Sequence, residues 1–420
     1  MLKKIIASIF SKGITAISNL LILLISAKYL GAYGRGEMAI VVLGISIVGI
    51  FQSIFSGPSL SYLIPRYSFF RLILSALLWN ILISLTLPFI LAYSGLFPIE
   101  YLYDLLLLTI LLSSISIFQY IFIGTEKIHP YNLIEIIKAS TTAFFLYWFI
   151  VHQGNATIQA VIESLYAAYI ISFIFAIIFA VWVLRKKKFN TTNERGLFYK
   201  FLKIGFQMQL NNISQMINYR FCYYLVEKFL GLASLGVFSV ATSLIEGVWV
   251  IFNGISLVHY SKSVNLKNIQ LQVKLTQHLT KLSFLLTLPA ILIIILLPDS
   301  FYNWLLGSEF EGLRPIFASM SLGVLLLATF AILNHHFSAV EKNLINVKSS
   351  FIGNIVTISI GLLTIQSYGI YAGGIATSIA YLIMFSYLIF RFNKMYHLQI
   401  NWIFNPKGKL RDLFDFKIYN

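Results

Sequence analysis

The chain consists of long apolar runs separated by short polar segments. A membrane-spanning helix needs about 20 mostly apolar residues, and twelve segments fit that description. The runs are too long for the strands of a membrane β-barrel and do not alternate with period two. We therefore predict an all-α polytopic membrane protein whose spans lie at roughly 8–30, 38–58, 72–94, 102–123, 131–151, 161–184, 204–226, 238–258, 279–298, 315–337, 344–366 and 368–390.

The sequence repeats itself at a spacing of 200 residues. Gly31 and Gly36, after the first span, return as Gly231 and Gly236 after the seventh. Glycine adopts positive φ without steric cost, so it suits a helix C-terminus followed by a tight turn. A second echo, Phe122-x3-Glu126-Lys127, recurs at a spacing of 215 as Phe337-x3-Glu341-Lys342.

Duplicated membrane helices are typical of transporters whose substrate path lies between two halves. The repeat predicts two pseudo-symmetric six-helix lobes around a central cavity. We place the N-terminal lobe at 1–190, the C-terminal lobe at 191–392 and a cytoplasmic tail at 393–420.

Polar residues follow the same repeat. Ser11, Thr15 and Ser18 in the first span correspond to Asn211, Gln215 and Asn218 in the seventh. At about 100° per residue, four polar side chains of the seventh span cluster within about 60°: Gln207, Asn211, Ser214 and Asn218. We expect both stripes to line the cavity. The alternative is hydrogen bonding between helices, which is common for Asn and Gln in membranes.

Four ionisable residues lie clearly within predicted spans: Glu135, Lys138, Arg220 and Glu246. Such groups are costly in hydrocarbon and point to a pathway or to a pairing. Glu135 and Lys138, three residues apart, share a helix face and can pair. Arg220 and Glu246 lie at similar depth below the outer surface and are also candidate partners. Either pair can be a structural ion pair or part of the substrate cavity.

Composition and charge support a membrane protein with a defined orientation. Apolar residues make up 58% of the chain, charged residues 11%, and the mean hydropathy is +0.83. Of the 31 Lys and Arg residues, most fall on the side that also holds the N-terminus. The opposite side has only Lys28, Arg35, Lys228 and Arg314. The positive-inside rule therefore places both termini in the cytoplasm. The net charge of +16 describes topology rather than affinity for nucleic acid.

Enzymatic motifs are weak in this sequence. It has no Gly-rich phosphate loop, no nucleophile elbow and no Asp-rich metal cluster. His335 and His336 are adjacent and lack the i, i+4 spacing of a helical metal pair. Cys222 is the only cysteine, which excludes a disulfide framework and a thiolate metal site. We expect no catalytic residue, no cofactor and no metal.

Several short Gly-based motifs resemble one protein family. They are Ala27 to Gly36 at the end of the first span, Lys203-Ile204-Gly205, Asn211 to Arg220, Leu230 to Ala241, Leu306 to Phe310 and Tyr368 to Thr377. In this order they are similar to segments of the Wzx-type polysaccharide flippases of the multidrug/oligosaccharidyl-lipid/polysaccharide exporter superfamily. The family's acidic position shortly after the Arg of the seventh helix is occupied here by Cys222 or its neighbours.

The resemblance implies a flippase of the bacterial inner membrane that moves isoprenoid pyrophosphate-linked oligosaccharides by alternating access. O-antigen, lipopolysaccharide and capsule synthesis use such cargo on undecaprenyl pyrophosphate. Implied partners are membrane lipids, a polysaccharide polymerase and a chain-length regulator, with an H⁺ or Na⁺ gradient as a driving force. Four basic residues near the inner mouth would gather the pyrophosphate or serve only as topological anchors: Lys12, Arg66, Arg71 and Lys203.

Three rival functions differ in what they require. A drug or cation antiporter of the same superfamily would centre on carboxylates and aromatic walls. A lipid II flippase would carry extra helices and more intramembrane Arg. A membrane-embedded polysaccharide polymerase would need a large outer loop with catalytic polar residues, and the longest outer loop here runs only from about Pro298 to Pro315.

Overall fold

The structure is a computed structural model that describes residues 2–185, 195–266 and 268–399. No β-strand occurs within these ranges. Two features of the sequence lie outside the described residues: Lys186 to Lys188 of the basic run, and the tail from residue 400 onward.

Six α-helices precede the basic run. They are α1 (Leu2–Ser56), α2 (Pro58–Leu63), α3 (Phe69–Tyr93), α4 (Leu102–Gly124), α5 (Ile128–Leu146) and α6 (Ile158–Leu184). A π-helical turn, Tyr147–His152, extends α5, and a short 3₁₀ turn, Ile99–Tyr101, precedes α4. The Thr157 hydroxyl accepts a hydrogen bond from the Ala160 amide and caps the start of α6.

Within residues 195–266 and 268–399, seven α-helices follow the basic run. They are α7 (Leu197–Glu246), α8 (Trp249–Asn265), α9 (Ile269–Leu296), α10 (Asp299–Leu306), α11 (Leu313–Ala339), α12 (Asn343–Tyr368) and α13 (Ile370–Tyr396). The longest outer loop predicted from the sequence contains α10 and a 3₁₀ turn, Ser308–Phe310. Arg314 holds this segment against the end of α9 by donating from Nε to the Ile295 carbonyl oxygen, at 3.0 Å.

The two longest helices are each interrupted at the predicted glycine. Gly31 in α1 has φ 68° and ψ −173°, and Gly231 in α7 has φ 83° and ψ 176°. Both conformations are non-helical and lie where only glycine is unstrained. The glycine repeat therefore marks two equivalent junctions, at each of which one predicted span ends and the next begins.

The second echo forms one backbone motif at two helix ends. Glu126 and Glu341 have φ of 61° and 60°. Lys127 donates its amide to the Phe122 carbonyl at 2.8 Å, and Lys342 donates to Phe337 at 2.7 Å. The glutamate amides bond to Ile123 and Ser338 at 3.0 and 3.3 Å. This 6→1 and 5→2 pair of bonds is a Schellman motif, here with Glu in the left-handed position that Gly usually holds.

Ten helices are long and apolar enough to cross a membrane, within the described residues. They account for the predicted spans because α1 contains the first two, and α7 contains the seventh and the beginning of the eighth. The rest of the eighth forms α8, which is only 17 residues long. The predicted all-α polytopic fold of about twelve helices is confirmed.

The chain divides into two compact units, Met1–Ile213 and Ser214–Asn420. The division lies inside α7. The lobe boundary that we predict at residue 190 lies outside the described residues and stays a prediction.

Candidate functional site

The first charged pair lies in α5, about two turns from its start. Lys138 Nζ is 2.9 Å from Glu135 Oε1, so the pairing predicted from the three-residue spacing is confirmed. Gln119 of α4 donates a second hydrogen bond to the same oxygen, at 2.6 Å. The two charged side chains are 23% and 30% exposed. The pair is therefore reachable from outside the unit although it stabilises the α4–α5 contact.

The second charged pair joins the part of α7 before Gly231 to the part after it. Arg220 donates from Nη1 and Nη2 to the two carboxylate oxygens of Glu246, at 3.1 and 3.0 Å. This is the bidentate fork that guanidinium forms with carboxylate or phosphate. The predicted partnership is confirmed. The Arg220 side chain remains 31% exposed, whereas that of Glu246 is 16% exposed.

Aromatic side chains surround the arginine, and the sequence analysis missed them. Arg220 donates to the Tyr223 hydroxyl at 2.9 Å and lies 4.9 Å from the centre of its ring. Tyr219 stands beside Arg220 in the chain, and its ring is 5.0 Å from Trp249 and 6.0 Å from Tyr381. The spacing of Tyr219 and Tyr223 around Arg220 was a usable signal, but Tyr381 and Trp249 come from other helices.

The polar stripe of α7 is largely used for packing inside the second unit. Asn218 is fully buried, donates to the Ser350 carbonyl of α12 at 3.1 Å and accepts from Thr357 at 3.2 Å. Ser214 accepts from Asn354 of α12 at 2.8 Å. These bonds to α12 favour the interhelical alternative, and the expectation that the two residues line a cavity stays a prediction. Gln207 is exposed, and the side chain of Asn211 lies outside the described residues.

The stripe on α1 behaves in the same way in the first unit. Buried Ser11 donates to the Asn132 carbonyl of α5 at 3.3 Å, and buried Ser18 bonds to Ser140 of α5 at 3.2 Å. Thr15 bonds back to its own helix, at the Ser11 carbonyl. Both stripes thus join the first helix of each repeat to a later helix of the same unit, and the expectation that Ser11 and Ser18 line a cavity stays a prediction.

The predicted basic residues near the inner mouth lie at the surface of the first unit. Lys12, Arg66, Arg71 and Lys203 are all exposed. The Arg66 guanidinium stacks 4.0 Å from the centre of the Tyr62 ring. Lys200, which the sequence analysis did not single out, bonds to the hydroxyl of Tyr67. Because Tyr67 follows Arg66, this bond brings Lys200 of α7 next to the basic turn between α2 and α3.

A buried polar cluster inside the first unit was not foreseen. Gln52 of α1 donates to the Ser84 hydroxyl of α3 at 2.6 Å and to the Thr109 carbonyl of α4 at 3.3 Å. Asn80, one turn before Ser84, is 4% exposed. The amide oxygen and nitrogen of Asn80 have no hydrogen-bond partner among the described residues. Within those residues, no group of three or more His, Cys, Asp or Glu side chains is placed to hold a metal ion.

Comparison with known proteins identifies the fold but no family. No protein-family model matches the sequence. No curated protein matches it either.

Solved structures do resemble this chain. An inward-facing multidrug resistance MATE family transporter of the MOP superfamily has a TM-score of 0.75 and 16% sequence identity, covering 93% of this chain and 99% of its own. The lipid II flippase MurJ, inward closed, has a TM-score of 0.67 and 16% identity over 96% of this chain and 89% of its own. A MOP superfamily transporter from Pyrococcus furiosus, described by a reverse polarity of its binding pocket, has a TM-score of 0.55 and 14% identity over 93% of this chain and 95% of its own. The chain therefore has the fold of MOP superfamily transporters.

Proposed function

We propose that this protein is a flippase that carries lipid-linked oligosaccharides with a pyrophosphate headgroup across the bacterial inner membrane by alternating access. It is a transporter and not an enzyme. The cargo consists of the repeat units of a surface polysaccharide, O-antigen or capsule, on an isoprenoid carrier such as undecaprenyl pyrophosphate. The lipid II flippase among the structural neighbours supports a lipid-linked cargo.

The ion pairs of the intramembrane carboxylates favour an anionic cargo over a cationic one. Glu135 and Glu246, the carboxylates that the sequence analysis identifies as lying clearly within predicted spans, each form an ion pair with a basic residue. A carboxylate already paired with a cation offers little to a cationic drug, because the drug would have to displace a fixed and well-oriented partner. The basic members of the two pairs, by contrast, are suited to an anionic headgroup.

Arg220 is the residue that we assign to the pyrophosphate. Its guanidinium binds the Glu246 carboxylate through two parallel bonds. Phosphate oxygens match the same fork. A headgroup phosphate can therefore replace Glu246 at Arg220 during translocation, and Glu246 holds the guanidinium in place when no cargo is bound. Lys138, partly exposed and paired with Glu135, serves as a second cationic contact.

A polar path is needed because the headgroup cannot enter hydrocarbon unaided. Burying the charges and hydroxyl groups of a sugar pyrophosphate without partners is prohibitively costly. The basic residues Arg66, Arg71, Lys200 and Lys203 attract the headgroup at the cytoplasmic side, and the lipid tail remains in the bilayer. Gln207, exposed on α7, contributes a hydrogen-bonding group to this path.

The transport cycle depends on the orientation of the protein in the membrane and on the proteins that receive the cargo. Both termini face the cytoplasm, where the basic residues concentrate. The two six-helix lobes change access alternately, and an H⁺ or Na⁺ gradient can drive the cycle. A polysaccharide polymerase and a chain-length regulator take over the cargo on the outer side.

A drug or cation antiporter is the second candidate, and one observation favours it. Tyr219, Tyr381 and Trp249 form an aromatic cluster beside Arg220, and aromatic faces attract organic cations. Sugars also stack on aromatic rings, so the cluster alone does not decide the cargo. A polysaccharide polymerase is less well supported, because the outer segment 298–315 forms a short helix and a 3₁₀ turn rather than a large loop.

The deciding experiment follows lipid-linked sugars in a strain that lacks this protein and any second flippase. Repeat units should accumulate on the cytoplasmic leaflet while surface polysaccharide falls. Purified protein in liposomes should expose the lipid-linked sugar to an added sugar-modifying enzyme. Compared at equal amounts of folded, reconstituted protein, Arg220→Gln should slow this exposure, and Lys228→Gln, an exposed change in the same helix, should not. If the strain keeps normal surface polysaccharide and becomes sensitive to cationic dyes, the flippase assignment is wrong and the antiporter assignment is favoured.

A further inference from the structure

A chain of hydrogen bonds connects two histidines in the interior of the second unit. Thr276 Oγ1 of α9 lies 2.9 Å from His259 Nε2 of α8 and 2.8 Å from His336 Nδ1 of α11. His336 Nε2 lies 3.0 Å from the hydroxyl of Tyr396, the last residue of α13. Both imidazoles and Thr276 are fully buried, whereas Tyr396 is half-buried. Four helices thus meet in one polar chain that leads from a helix end into the core.

The bonding pattern leaves one nitrogen without a partner. His259 Nδ1 is buried and has no hydrogen-bond partner among the described residues. His259 Nε2 is also 3.1 Å from the Ser263 hydroxyl. A structural histidine in a packed core normally satisfies both ring nitrogens. This nitrogen carries the ring hydrogen of neutral His259 whenever Nε2 accepts a hydrogen bond.

Thr276 is placed to transfer a proton between the rings. Its hydroxyl carries one hydrogen, which it donates to the Gln272 carbonyl of α9 at 2.8 Å; when it rotates away from that carbonyl, it can donate to one ring while it accepts from the other. When His336 is cationic, its Nδ1 proton can move to Thr276 Oγ1 as the hydroxyl hydrogen moves to His259 Nε2. The charge then resides on His259, and His336 is left as the neutral ring that is protonated on Nε2 and donates to Tyr396. The transfer conserves all atoms and needs only one proton from outside.

We propose that the network of His259, Thr276, His336 and Tyr396 is a proton-binding site that holds one proton shared between the two imidazoles. The proton enters beside Tyr396, at the end of α13. The ring centres are 6.2 Å apart, and two cations at that distance in a buried setting repel each other strongly. The site therefore takes one proton and refuses a second.

The helices that form the network carry basic residues, histidines and tyrosines. The helices α8, α9, α11 and α13 contain no Asp or Glu. The charged side chains of these helices are lysines and arginines, and α12 adds Lys348. The titratable groups near the network are Tyr260, Lys262, Lys274, His278, Lys281, His335, Lys348, Tyr387, Arg391 and Lys394. Tyr260 and His335 face each other at 5.6 Å between ring centres. Among these groups, His259 and His336 are the two imidazoles that the Thr276 hydroxyl joins.

The test is a pH titration of the full chain in lipid nanodiscs, with all histidines isotope-labelled and followed by NMR. Because one proton is divided between two rings, the His259 and His336 signals should move together, and their fractional shifts should sum to about one protonation.

Variants separate sharing from simple burial. Thr276→Val removes the bridging hydroxyl with little change in shape and should abolish the joint movement of the two signals, whereas Thr276→Ser should retain it. His335→Gln, the adjacent change, should leave both signals as in the native chain. If Thr276→Val does not fold, the summed shift in the native chain and in Thr276→Ser still decides the matter. Two full independent shifts, or neutral rings at every pH at which the protein stays folded, would overturn the proposal.

Discussion

Two glutamates at equivalent helix ends of the repeat have a strained backbone conformation. Glu126 and Glu341 occupy the left-handed position of equivalent Schellman motifs. An L-residue in this conformation costs about 1–2 kcal/mol relative to its preferred geometry. Two equivalent sites in the two repeats share this cost, which is consistent with duplication of one ancestral helix end.

Glycine at these two sites should stabilise the protein. Glu126→Gly and Glu341→Gly should each raise the free energy of unfolding by about 0.5–1 kcal/mol, since the relief of strain exceeds the extra entropy of glycine in the unfolded chain. Thermal unfolding in detergent measures the gain. Glu126→Ala is the matched control, because it removes the carboxylate but keeps the strained backbone. An equal gain in the Ala variant would assign the effect to the charge instead.

The Arg220–Glu246 pair should respond to loss of either partner. Glu246→Gln leaves a guanidinium without its counter-charge and should lower stability by about 1–3 kcal/mol, less than for a fully buried pair because Arg220 is 31% exposed. The double change Arg220→Gln with Glu246→Gln should recover part of this loss, since no unpaired charge remains. Melting temperature and membrane abundance report both effects, and a double variant less stable than either single one contradicts the assignment.

At the scale of elements, α7 contributes side chains to both compact units. Its beginning packs in the first unit, where Phe201 lies 4.4 Å from Phe55 between ring centres. Gln209 donates to the Ser53 carbonyl of α1 at 3.2 Å. Beyond Ser214 its polar residues bond to α12 of the second unit. One continuous helix therefore contributes to the core of each unit, and its polar side chains are used mainly to fix those contacts.

The approach of α7 to the end of α1 depends on Gly205. A Cβ atom at this position would lie 1.9 Å from the Ile54 carbonyl oxygen, so a methyl group cannot fit without moving the helix. Gly205→Ala should lower the free energy of unfolding by about 1–3 kcal/mol, the usual cost of overpacking. Gly49→Ala in α1 is the control, because nothing lies within 4 Å of its added Cβ. Equal melting temperatures for the two variants would refute the tight contact.

At the scale of the whole molecule, charge orders the chain relative to the membrane. In the twelve-span topology that the sequence predicts, the basic residues concentrate on the side of the termini, and only Lys28, Arg35, Lys228 and Arg314 fall on the other side. Positive residues in short loops resist translocation, which sets the orientation. The same asymmetry serves an anionic headgroup that starts from the cytoplasmic leaflet, so topology and the proposed cargo agree.

Reporter fusions test this topology directly. Fusions after Lys187 and Lys407, both outside the described residues, should report the cytoplasm, and fusions at Gly34 and Ser308 should report the outer side. Alkaline phosphatase and a fluorescent protein that matures only in the cytoplasm provide opposite signals at each site. An outer-side signal at Lys187 would invalidate the two-lobe assignment.

The sequence by itself determined the spans and the glycine junctions, and it identified the members of the two ion pairs as candidate partners. Each of these depends on local order: hydrophobic length, a backbone angle that only glycine tolerates, and side chains three residues apart or at equal depth. Gly31 and Gly231 adopt nearly the same angles because the same steric rule acts at both. The motif Phe-x3-Glu-Lys was visible as a repeat, but its left-handed glutamate was not.

Only the tertiary structure decided which face each polar stripe meets. Helical periodicity places Ser214 and Asn218 on one side of α7 but does not say whether water or another helix lies there. Their partners on α12 are more than 130 residues away in the chain. Ser18 and Ser140, which also bond to each other, are 122 residues apart. The aromatic cluster at Arg220 and the bridge from His259 to His336 also join separate helices. Such contacts depend on how helices pack against one another, which the spacing within a single helix does not encode.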